Sequence, residues 1–115
     1  MPQYLVAIHH PDDFDPARET AETQADIRAL NIEMREKGVR VFAGGLAPAG
    51  EAVAVRRRGD GLAVSDGPYI ESKEHIGGFW ILECAGMDEA VDWGRRAAVA
   101  CRASVEVRAF NGATR

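Results

Sequence analysis

Cysteine is scarce: Cys84 and Cys101 are the only two in 115 residues. They stand far apart with no CxxC or Cys/His spacing, so neither a disulfide framework nor a zinc site is indicated, and they read as buried free thiols. No apolar run approaches the length that spans a bilayer, and Met1-Pro2-Gln3-Tyr4-Leu5 lacks a basic region followed by an apolar core. The expectation is a cytoplasmic protein without membrane association. Basic excess is also missing. The formal charge is -4 and the pI about 5.3, which argues against a nucleic-acid surface, because such surfaces cluster Lys and Arg against phosphates. The one basic run, Arg56-Arg57-Arg58, reads as a solvated strand end. No GxGxxG, P-loop, GxSxG or HExxH motif occurs, which removes the main support for nucleotide, lipase-like and zincin chemistry. No cofactor and no metal is therefore assigned. Repeats and low-complexity tracts are absent as well.

What is present suits one domain over residues 1–115, with 46% hydrophobic and 28% charged residues. A chain of this length buries roughly two-thirds of its unfolded surface. Tyr4 to His9 is apolar at both alternations and is stopped by Pro11-Asp12-Asp13, which predicts a buried strand. Pro16 to Lys37 takes helical spacing, with Ile27, Leu30 and Met34 on one stripe, Asp13 or Asp15 as N-cap and Gly38 as the stop. A strand over Val39 to Gly44 and a glycine- and proline-bearing loop follow. Ala52 to Arg57 and Leu62 to Ser65 flank Gly59-Asp60-Gly61, which predicts a hairpin. Gly77 to Cys84 reads as a strand, Met87 to Cys101 as a helix with a small-residue stripe, and Ser104 to Phe110 as a last strand before a frayed tail at Asn111 to Arg115.

This order matches an α+β, ferredoxin-like βαββαβ core with an inserted hairpin. Two helices cover one face of such a sheet. Phe79 and Ile81 lie on one side of the strand and Trp80 and Leu82 on the other, so a second apolar face needs cover. A second copy of the chain is the cheapest cover, and a homodimer with a barrel-like core is expected.

Chemistry concentrates between Ser65 and His75. Asp66 can orient a histidine, and His9 at the end of the first strand is its natural partner; a carboxylate on one ring nitrogen leaves the other as acid or base. Asp66-Gly67-Pro68 also has a purely structural reading as a turn. Glu71, Lys73, Glu74 and His75 read either as a charged rim around a pocket or as a solvated loop. A small-molecule cleft is expected near His9, the Gly44 to Pro48 loop and Asp66 to Lys73, with His9 and Asp66 catalytic and Gly45, Tyr69 and Lys73 in contact with substrate, Lys73 anchoring an anionic group.

Asp66-Gly67-Pro68-Tyr69-Ile70-Glu71-Ser72-Lys73-Glu74-His75-Ile76-Gly77-Gly78-Phe79 resembles the signature of the DGPF family, a branch of the YCII-related proteins, with Tyr69 where Phe is usual. The likeness extends to Gly44-Gly45-Leu46-Ala47-Pro48, Met87-Asp88-Glu89-Ala90 and Ser104-Val105-Glu106-Val107-Arg108. The resemblance implies a dimeric ferredoxin-like α/β barrel and, from YCII-like relatives, a His/Asp pair in a cleft, with Asp66 matching the Asp and His9 the His. It implies little about substrate. DGPF proteins are often encoded near extracytoplasmic-function sigma factors, which implies the alternative of a non-catalytic regulatory partner.

Overall fold

Residues 1–112 are described by the computed structural model, in the order β1 (Gln3–Pro11), α1 (Ala21–Glu36), β2 (Arg40–Gly45), β3 (Val53–Arg58), β4 (Gly61–Asp66), β5 (Glu74–Glu83), α2 (Met87–Cys101) and β6 (Ser104–Ala109). The chain is α+β. Its main sheet is antiparallel with strand order β2-β5-β1-β6, and β3 and β4 form a separate two-stranded hairpin. Residues 113–115, part of the tail expected to fray, lie outside the described residues.

Side-chain alternation explains the central pair. Tyr4, Val6 and Ile8 of β1 and Trp80 and Leu82 of β5 point to the helices, where Leu30 and Met34 of α1 and Ala90, Trp93 and Ala97 of α2 close the core. Val6, Met34 and Leu82 are fully buried, each worth about 1.5–3 kcal/mol of transfer free energy. One polar tether crosses this layer. Asn31 Oδ1 accepts from Trp80 Nε1 at 2.9 Å and from Arg40 Nε at 3.0 Å, fixing α1 to β5 and β2. Gly94 lets α2 lie close to β6, since a Cβ there would meet Val107 Cγ2 at 2.8 Å.

Several boundaries differ from expectation, each for a local reason. The Pro16-to-Lys37 helix is split: Asp15 caps a short 3-10 turn at Pro16–Arg18, and α1 begins only at Ala21 with Thr20 as its N-cap, whose Oγ1 accepts from Thr23 N at 3.1 Å. The hairpin forms, but its loop is Gly59-Asp60, with Gly59 at φ +58° and Gly61 already paired to Arg58. β1 runs on to Pro11, and β5 begins at Glu74, before Gly77. Extension was hidden because β5 carries a bulge: Ile8 pairs with Gly78 and His9 with Ile76, leaving Gly77 as the extra residue.

Gly77 is required sterically. Its φ lies outside the left-handed region, yet a Cβ built on it would collide with His10 Cδ2, and the His10 ring is held by stacking on Phe14 at 3.6 Å between centroids. Gly77→Ala should therefore destabilise by about 1–3 kcal/mol through overpacking, and His10→Ala in the same chain should recover most of that loss. A urea-unfolding double-mutant cycle measures it; additive costs would show that the two positions do not collide.

Candidate functional site

Running β1 to Pro11 against a β5 that starts at Glu74 brings two segments together that are remote in sequence. Asp12 N donates to Lys73 O at 2.8 Å, continuing the pairing one step past the sheet. His75 and Asp12 then meet: His75 Nε2 stands 2.6 Å from Asp12 Oδ1. The imidazole is mostly buried and the carboxylate half-exposed, at 19% and 58% side-chain exposure. The contact is a close ion pair when the ring is protonated, and among the described residues no side-chain hydrogen bond engages the other ring nitrogen, Nδ1.

His75 also lines an open cleft of about 640 Å³, walled by His9, Ile76, the Leu46–Ala49 loop and Pro68, Tyr69 and Ile70. Two bonds hold the walls. Leu46 N donates to the bulge carbonyl of Gly77 at 2.9 Å, and Arg56 reaches across to the signature loop, its guanidinium 4.6 Å over the Tyr69 ring and Nη2 2.5 Å from Tyr69 O. Arg56 is thus not a solvated strand end, while Arg57 and Arg58 are exposed. Gly67, at φ +100°, makes the turn out of β4 and donates its N–H to Ala52 O at 2.6 Å, the structural role foreseen for Asp66-Gly67-Pro68.

Of the residues expected to act, His9 and Tyr69 line this cleft, whereas Gly45, Asp66 and Lys73 do not. Asp66 is exposed at the end of β4, and among the described residues no side-chain hydrogen bond or ion pair joins it to His9. Lys73 contributes its carbonyl to Asp12. Gly45 borders a different cavity, between the sheet and the helices. Among the described residues no group of three or more His, Cys, Asp or Glu could hold a metal ion. The thiols of Cys84 and Cys101 are pushed up by burial to about 11, so both stay protonated at neutral pH and are poor nucleophiles.

Residues 3–111 match the YCII-related domain. The chain belongs to the YCII-related family. An uncharacterized protein of Rhizobium meliloti (strain 1021) is 33% identical over 95 residues, covering 80% of this chain and 77% of the relative. In this YCII-related chain the His/Asp pair that is in contact is His75 with Asp12. Sequence reasoning missed it because Asp12 looked like part of a strand stop and His75 like part of a loop. The signal available was the antiparallel pairing of the two most apolar strands, which, carried past the glycines, sets Lys73-Glu74-His75 beside Asp12-Pro11-His10.

Burial lowers the pKa of His10 below the usual imidazole value, with the charge of Glu19 partly opposing it. A histidine that binds its proton less well when folded makes the unfolded chain the better proton acceptor, so its stability contribution is present above about pH 6.5 and is lost as pH falls through the depressed folded value. Urea unfolding at pH 7.5 and 5.5 should show stability falling on acidification, and His10→Gln should fall less. An identical loss in both proteins would contradict this.

Proposed function

We propose that this YCII-related protein is a homodimer of the DGPF branch whose cleft binds a small cyclic or carbonyl compound and uses His75, oriented by Asp12, as general acid or base without a redox cofactor. The observation that carries the reading is the 2.6 Å His75–Asp12 contact at the wall of an open cleft. A carboxylate held against a mostly buried imidazole at a cleft wall is an arrangement suited to proton transfer. His9 supplies a second imidazole to the lining of this cleft, and Tyr69 a phenol. Asp66, Gly45 and Lys73 stand outside the cleft and are assigned no part in the proton transfer. The signature stretch from Asp66 to Phe79 supports the DGPF branch.

A ferredoxin-like core is supported by the strand order β2-β5-β1-β6 with both helices packed on one face. The dimer is supported by what that leaves uncovered. On the sheet face away from the helices lie Leu5, Phe79 and Ile81, with Phe42 half-exposed and 5.8 Å from the Phe79 ring. The hairpin adds more: Val55 pairs with Val64, and Val53 and Leu62 share their face, all four exposed. The radius of gyration, 15.8 Å, exceeds the roughly 13 Å of a compact chain this long. An apolar area of this extent is what a second copy, packed sheet to sheet, would bury.

Sedimentation equilibrium should return twice the 12.5 kDa chain mass, and Phe42→Asp should shift the population to monomer; a wild-type monomer would remove the dimer. For the chemistry, a panel of small lactones and oxo acids should yield a compound turned over by the wild-type protein. His75→Gln should lower that rate about 100-fold or more and Asp12→Asn less, within the range general acid–base catalysis contributes. Turnover that survives His75→Gln intact would remove His75 from the chemistry, and a panel with no substrate at all would favour a binding protein over an enzyme.

A further inference from the structure

A second cavity, of about 430 Å³, opens on the other side of the sheet end, between β1, β2 and β5 and the helices. Its size falls in the range of small-molecule sites. Ile8, Ile27, Phe14 and Trp80 supply apolar walls, and Arg40 is the cation within it. The guanidinium is held in place, because Nε donates to Asn31 Oδ1 at 3.0 Å while Asn31 itself is tied to Trp80 and to Ile27 O. Among the described residues no carboxylate pairs with Arg40 and its two terminal nitrogens donate to no protein group. A fixed arginine presenting unused donors at the edge of an apolar cavity matches a carboxylate. Glu19 sits at the His10 side of the same cavity, which repels an anion there and directs it to Arg40.

The space exists because of glycine. Gly45 pairs with Gly78 where β2 meets β5. A Cβ on Gly78 would press on Gly44 O at 2.9 Å, so that glycine is demanded by packing. Gly45 is different: its φ is not left-handed and a Cβ would come no closer than 3.9 Å, to Gly77 O. Neither backbone conformation nor collision requires glycine at 45, and a side chain there would project into the cavity.

We propose that the helix-side cavity is a binding site for a small carboxylate with an apolar body, its carboxylate held by Arg40 and its body placed in the room left at Gly45. The site shares its Leu46 wall with the cleft that His75 lines, and the proposal stands whether or not that cleft is catalytic. Hexanoate is the probe, titrated into the full chain and followed by NMR at the Trp80 indole N–H and the Arg40 Nε–H. Both signals should shift saturably. Hexanamide, the neutral analogue, and the Arg40→Gln variant with hexanoate should each bind about tenfold more weakly or worse, the loss of a charge-assisted pair. Gly45→Leu should abolish binding while keeping the native spectrum elsewhere and a Tm no lower than wild type. Equal binding of hexanamide and hexanoate would overturn the proposal without recourse to any variant. So would full binding by Gly45→Leu, or hexanoate shifts confined to His9, Tyr69 and His75.

Discussion

The antiparallel pairing of β1 with β5, broken once by the bulge at Gly77, is the constraint on which the rest of the molecule depends. Up to Ile8 and Gly78 the two strands alternate in register, and their inward residues build the core against both helices. Beyond the bulge the register is shifted by one, which is what sets His9 opposite Ile76, lets Gly77 O hold the Leu46 loop, and brings Asp12 to His75. A one-residue change of register moves every following side chain to the other face. Without the bulge, His75 would turn away from the position in which it meets Asp12.

Around this pair the interior is organised by one polar node in an otherwise apolar layer. Asn31 takes two donors at Oδ1 and gives one bond to its own helix. A buried indole N–H without a partner would cost about 1–3 kcal/mol, so the node both satisfies Trp80 and fixes where α1 crosses the sheet. The same node orients Arg40, and the glycines at 44, 45, 77 and 78 keep the adjoining end of the sheet thin. Rigidity on one side and missing side chains on the other account for an open cavity next to a well-packed core.

The opposite face follows from the same strands. A strand apolar on both sides solves the packing problem on the helix side and leaves it open on the other. The hairpin of β3 and β4 repeats the pattern on a smaller scale, with exposed aliphatic side chains on a face that no other element covers among the described residues. Here Arg56 has a structural task, clamping Tyr69 and so tying the hairpin to the signature loop.

Local pattern was enough for the elements themselves. The α2 boundaries, the hairpin strands, the stop at Gly38 and the turn at Gly67 are set by interactions within a few residues: hydrophobic period, cap chemistry and positive φ. Nearby competition also decided the 3-10 turn and Thr20 cap, but there two capping residues were both available, Asp15 and Thr20, and the chain uses each for a different turn. The candidate site was legible only as a neighbourhood. The sequence by itself determined that the chain is α+β, that two strands are apolar on both faces, and that imidazoles and carboxylates gather near their ends. Which imidazole meets which carboxylate was decided by tertiary structure alone, because that choice depends on the register between strands some sixty residues apart and on a single unpaired glycine within it, and neither leaves a mark in the local pattern of either strand.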